Sequence, residues 1–81
     1  MKYKIGTRID FIKDGESESD FHEYWDIVAY AVMKDAQAVY LVWDNYNEYG
    51  NQYDFITENE LSEAIKDNED CGYIVKIREE E

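Results

Sequence analysis

The run Ala38-Val39-Tyr40-Leu41-Val42-Trp43-Asp44 constrains this chain more than any other stretch, because it is the longest series of strong strand formers with no breaker inside it. Beta-branched and aromatic side chains suit a pleated, packed surface. The Asn- and Gly-rich segment that follows (Asn45, Asn47, Gly50, Asn51) gives the run the length and flanks of a strand rather than a helix. It predicts a buried central strand, and the rest of the chain has to supply its partners. With 81 residues the chain forms one small domain, 1–81. A domain of that size buries only about 60–65% of the surface its unfolded chain exposes. Eight Tyr, three Phe and two Trp supply the bulk for a core without disulfide or metal staples, with some aromatics left over.

Tyr3, Ile5, Thr7, Ile9 and Phe11 alternate with Lys4, Gly6, Arg8 and Asp10, a period of two that predicts the first strand with its apolar set on one face. Gly6 within it marks a bulge or bend. Asp14-Gly15 turns the chain into an acidic loop over 13–20, which has no apolar residue to tie it down and reads as mobile. From Asp20 to Lys34 two readings compete. Phe21, Trp25, Val28 and Val32 fall at helical spacing behind an Asp20/Glu23 imitation of a capping box, which gives an additional helix at about 20–34. Alternatively, Asp26 to Met33 is a strand, and Lys34-Asp35-Ala36-Gln37 is a hairpin loop into the central strand. The strand is preferred, because both faces of the stretch are apolar and the central strand needs an antiparallel partner.

Tyr53-Asp54-Phe55-Ile56 reads as a short strand. Thr57 with Glu60 three residues later is a capping box that opens a short helix from Glu58 to about Lys66, with Leu61 and Ile65 as its apolar face. Asp67-Asn68-Glu69-Asp70 is expected to end that helix as a charged turn. Tyr73 to Ile77 forms a last strand before an acidic tail at 79–81. The expected fold is mainly β (α+β): five antiparallel strands in a small barrel or curved sheet, with one helix at about 58–66. The series Lys4 to Phe11, the apolar hairpin ending in Tyr40-Leu41-Val42-Trp43, and Ile56-Thr57-Glu58-Asn59-Glu60-Leu61 resembles the small SH3-like barrels, which include Tudor and KOW modules. The resemblance implies a fold and no particular function.

The net charge of −12 repels a phosphate backbone, and no Lys/Arg cluster exists to release counterions, so direct nucleic-acid binding is disfavoured. The same balance excludes a polybasic membrane-surface segment, and no apolar run approaches the roughly 18–20 residues of a spanning helix. Lys2 and Lys4 precede no apolar h-region, so no secretory signal is read, and a cytoplasmic location is expected. Cys71 is the only cysteine and is expected as a core or satellite thiol.

Chemistry is thinly represented. His22 is the only histidine and reads as a surface imidazole, so a catalytic triad is improbable. One His and one Cys lack the paired spacing of zinc sites. Asp44 and Asp67 both fail as starts of a calcium loop, since position 6 from Asp44 is Tyr49 and position 12 from Asp67 is Arg78. No cofactor, metal or enzyme activity is assigned.

What remains is an interleaving of aromatic and acidic residues: Glu23, Tyr24, Trp25 and Asp26, then Asp44, Tyr46, Glu48 and Tyr49, then Tyr53 and Asp54. Aromatic anchors combined with charge make recognition surfaces, and a negative field steers in a basic protein surface. The expected partner is a nucleic-acid-binding protein. In its small size, acidity and lack of an active site the chain is similar to phage-encoded DNA-mimic inhibitors of the anti-CRISPR and anti-restriction type. Those families share no motif, so the similarity carries over no residue. A Tudor-like module that binds a basic peptide, or a structural subunit of a larger assembly, are the alternatives.

Overall fold

The computed structural model describes residues 1–46 and 52–79. Among these, the elements run β1 (Arg8–Ile12), β2 (Glu23–Val32), β3 (Ala38–Asp44), β4 (Tyr53–Ile56), α1 (Glu58–Asp70) and β5 (Ile74–Arg78). All strands pair antiparallel in one sheet of order β4-β3-β2-β1-β5. The fold is therefore mainly β with one helix. The sheet is open rather than closed into a barrel, so β4 and β5 are left as its two edges.

The organising run forms β3 over the expected residues and lies inside the sheet, with Val39, Tyr40 and Val42 buried. The middle position, however, belongs to β2. The strand reading of 20–34 holds and the helix alternative fails. Asp20, which imitates a helix cap, instead accepts the Ser17 N–H at 2.9 Å and closes a turn. β2 also starts at Glu23, earlier than the expected Asp26. Its register against β3 shifts between Ile27 and Ala29, so Val28 is an extra residue on the β2 side. That irregularity explains why both faces of the stretch are apolar.

The first strand is shorter than its alternation suggests, since pairing starts at Arg8 rather than Tyr3. Gly6 has φ 97°, and the Thr7 N–H reaches the Lys4 carbonyl at 3.1 Å, so the chain turns before the strand begins. Ile5 is consequently exposed, while Tyr3 is carried under the sheet, where its N–H donates to the Tyr40 hydroxyl at 3.0 Å.

The capping box forms as expected: the Glu60 N–H donates to Thr57 Oγ1 and the Thr57 N–H to Glu60 Oε1, each at 3.1 Å. Yet α1 runs to Asp70, because Asp67 to Asp70 make its last turn instead of ending it. Cys71 caps that end and is exposed, not a core thiol. β5 is displaced by one residue from the expected Tyr73–Ile77. The core lies between one face of the sheet and α1: Ile9, Phe11, Ile27, Tyr40 and Val42 meet Leu61 and Ile65, with Tyr3 beneath. Each such buried side chain contributes about 1.5–3 kcal/mol. No helix among the described residues is long and apolar enough to cross a membrane.

Candidate functional site

Register decides which of the singled-out residues meet. Arg78, Arg8, Asp26, Trp43 and Tyr53 are successive cross-strand partners, so one row of side chains crosses all five strands on the face away from the core. Tyr24 belongs to the same face. The Arg8 guanidinium lies 4.0 Å from the centre of its ring, and the Trp43 ring is 5.8 Å from it. Asp26 takes both ends of that guanidinium, Nε at 2.7 Å and the second nitrogen at 3.1 Å. Its charge is therefore spent inside the molecule.

Glu23 and Trp25 point the other way. Trp25 packs edge-on to Phe11 at 4.9 Å against the core, so it is a structural residue and not a free anchor. Its indole Nε1–H donates to Glu23 Oε2 at 3.1 Å. Glu23 lies beside Asp44, and its carboxyl is pushed above the ordinary range, first by burial and then by the neighbouring Asp44 carboxylate. Glu23 also lines a cleft of about 300 Å³ at this end of the sheet, together with Phe11, Phe21, Tyr46, Tyr73, Glu16, Lys13 and His22. Phe21 and Tyr46 form its outer wall, ring centres 6.0 Å apart, and are 75% and 56% exposed. The charged lining is mixed, Glu16 and Glu23 against Lys13 and His22, and the rings offer their faces to a cationic side chain. Large exposed rings held near acids are also the residue types that carry binding energy.

Tyr46 is held in place by Asp44, whose Oδ1 accepts its N–H at 2.9 Å, and Asn45 ties the same corner to β2 by accepting the Tyr24 N–H at 2.7 Å. His22 closes the back of the cleft and is not a surface imidazole. Its Nδ1 meets the Asp20 carbonyl at 2.9 Å and its Nε2 meets Asp10 Oδ1 at 2.7 Å. Both partners are acceptors, and a neutral ring has only one N–H, so the imidazolium fits this setting. Accordingly its pKa lies above the ordinary value, chiefly through the Asp10 carboxylate. With both nitrogens engaged, the ring offers no free base.

Asp10 is buried on the outer face, with Arg78 Nε 2.9 Å from its second oxygen as an ion pair without hydrogen-bond alignment. Lys76 pairs with Glu18, so the acidic loop is tied to β5 by charge where no apolar residue could do it. Among the described residues, no three His, Cys, Asp or Glu side chains are grouped to hold a metal ion.

The residues predicted from sequence thus divide. Tyr24, Asp26 and Tyr53 share the outer row, and Glu23 and Tyr46 line the cleft, with Asp44 behind them. Asp54 stands on the β4 edge, where its Oδ1 accepts the Phe55 N–H at 2.9 Å. Glu48 and Tyr49 lie outside the described residues. Phe21, Tyr73, Glu16 and Trp43 were not picked out by the interleaving pattern. Phe21 stands out only once the helix reading of 20–34, whose apolar spacing it begins, is set aside and it is left as a large apolar residue beside an acidic loop. No protein-family model, no curated protein and no solved structure matches this chain.

Proposed function

We propose that this is a non-catalytic acidic protein-binding domain whose partner presents a cationic segment, received in the cleft between Phe21, Tyr46, Tyr73 and Glu23. The observation that carries the reading is Glu23. Its carboxyl is half-buried beside Asp44 at an energetic cost, in a cleft walled by exposed rings. A strained carboxylate in a concave aromatic setting is characteristic of a binding site. An incoming ammonium or guanidinium offsets the Glu23–Asp44 repulsion and stacks on the rings. The test is calorimetric titration with a Lys-rich peptide. Phe21→Ala/Tyr46→Ala should weaken binding by about tenfold, or 1.4 kcal/mol. An unchanged affinity would remove the cleft from the account.

A second form of the same reading is an inhibitor that mimics DNA or RNA on a nucleic-acid-binding protein, as phage anti-defence proteins do. It is favoured by a stripe of exposed acids on α1, Glu60, Glu63, Asp67 and Asp70. At i, i+3, i+7 and i+10 these share one helical face, with about 1.5 Å of rise per residue. Here Glu63→Gln/Asp67→Asn/Asp70→Asn should abolish capture of a basic nucleic-acid-handling protein from a bacterial lysate, and capture by the wild type should weaken steeply with salt. Recovery of neutral partners alone, or salt-insensitive binding, would count against it. The finer fold assignment, an SH3-like strand topology without closure of the barrel, belongs to the same proposal. It is supported by consecutive strand pairings from β1 to β4 and the return of β5 beside β1.

A further inference from the structure

The chain's cations and acids are not evenly matched across the sheet. Arg8, Lys76 and Arg78 on β1 and β5 are all in ion pairs. Residues 52–65 contain Asp54, Glu58, Glu60 and Glu63 but no Lys or Arg. Within that span β4 is a sheet edge, paired among the described residues with β3 alone. The Asp44 N–H reaches the Gln52 carbonyl at 2.8 Å, so the hydrogen-bonded pairs are 44/52, 42/54 and 40/56. Phe55, between them, turns its N–H and C=O away from β3. That outward N–H is held by the adjacent Asp54 carboxylate at 2.9 Å. Asp54 makes no ion pair with any described residue. The rings of Tyr53 and Phe55, 50% and 54% exposed, stand on the outer face beside Trp43 and Leu41.

We propose that β4 is a guarded docking edge for a cationic extended peptide segment, which adds as a sixth strand. A Lys or Arg of the segment draws the Asp54 carboxylate off the Phe55 N–H, which then donates to a carbonyl of the incoming strand. Alternate side chains of the segment contact Phe55 and Tyr53, the mode by which sheet edges recognise extended peptides. Charge selects this occupant. A second copy would bring its own net charge of −12 and its own Asp54 against the same edge, so the guard blocks self-pairing and yields to a cation. The inference rests on the reading of the partner as cationic, and it adds where an extended part of that partner lies.

The test uses the full chain, 15N-labelled, with a short synthetic peptide of alternating Lys and Val and the same peptide N-methylated at every backbone nitrogen. The unmethylated peptide should shift the Phe55 amide and slow its hydrogen exchange, and the methylated one should bind at least about tenfold more weakly. Asp54→Asn keeps an oxygen for the Phe55 N–H but loses the charge, and it should weaken binding several-fold with the fold intact. Equal affinity for both peptides, or an unmoved Phe55 amide, overturns the proposal. Shifts gathered at Phe21 and Tyr46 with Phe55 silent reject the edge but leave the cationic-partner reading standing. Failure of both peptides to bind rejects both readings.

Discussion

The two flanks of the sheet treat charge in opposite ways. On the β1–β5 flank carboxylates are buried or paired: Asp10 sits between His22 and Arg78, Glu18 holds Lys76, and Asp26 clamps Arg8. On the other side Glu23, Asp44 and Asp54 make no ion pair with any described residue. Asp54 guards a backbone N–H, and Glu23 and Asp44 repel each other next to exposed rings. Charge used on the first flank stabilises the fold, whereas on the second it costs stability and stays available to a partner. Net charge alone does not separate these two uses.

The largest difference between the flanks should appear in Asp10→Ala. Removing a buried carboxylate between two cationic groups should cost about 2–4 kcal/mol, because the remaining charges lose their partner. In a domain of this size that lowers Tm by roughly 10–25 °C in a thermal melt. A loss as small as that of an exposed pair would erase the distinction between the flanks. On the other flank, Phe21→Ala/Tyr46→Ala should leave Tm almost unchanged while weakening the Lys-rich peptide, since both rings are largely exposed.

Glu23→Gln sharpens the contrast, because it should raise stability and lower affinity together. A carboxyl whose folded pKa is raised gives full stability only below its unfolded pKa, and loses it as pH rises through that value to the folded one. Gln removes that loss and can still accept from Trp25. With solvent screening the gain at neutral pH is a few tenths of a kcal/mol, or roughly 2–4 °C in Tm. Lower stability of the variant would contradict the like-charge account.

The smallest effect is the pH dependence of His22. Its folded pKa lies above the ordinary 6.5, so its contribution is fully present below the unfolded value and is lost as pH rises through the folded one. Melts across that window should show a decline that His22→Gln lacks. An identical profile in the variant would mean the imidazole is neutral in the fold.

Much of the fold could be read from local pattern, because β3, β4 and the Thr57 cap are set by neighbouring residues. The rest depended on partners far away in sequence. The alternation from Tyr3 fails at Gly6, where a turn feeds Tyr3 under the sheet to meet Tyr40. The Asp20/Glu23 spacing looks like a helix start until β1 and β3 claim residues 23–32 as their neighbour. At the candidate site, the presence of aromatics and acids could be read, but not their allocation. Trp25 and Tyr24 are adjacent in sequence and occupy opposite faces, one spent in the core and the other stacked on Arg8. His22 appeared idle because Asp10, which gives it a role, is twelve residues away on β1.

Whether the cleft receives a cation can be read from ring-proton NMR of the wild-type chain during titration with a Lys-rich peptide. Binding in the cleft gives saturable shifts at Phe21, Tyr46 and Tyr73, upfield movement of the lysine methylene signals, and weakening as salt is raised. Small, non-saturating shifts spread over every face of the molecule, with those three rings unmoved, would contradict it.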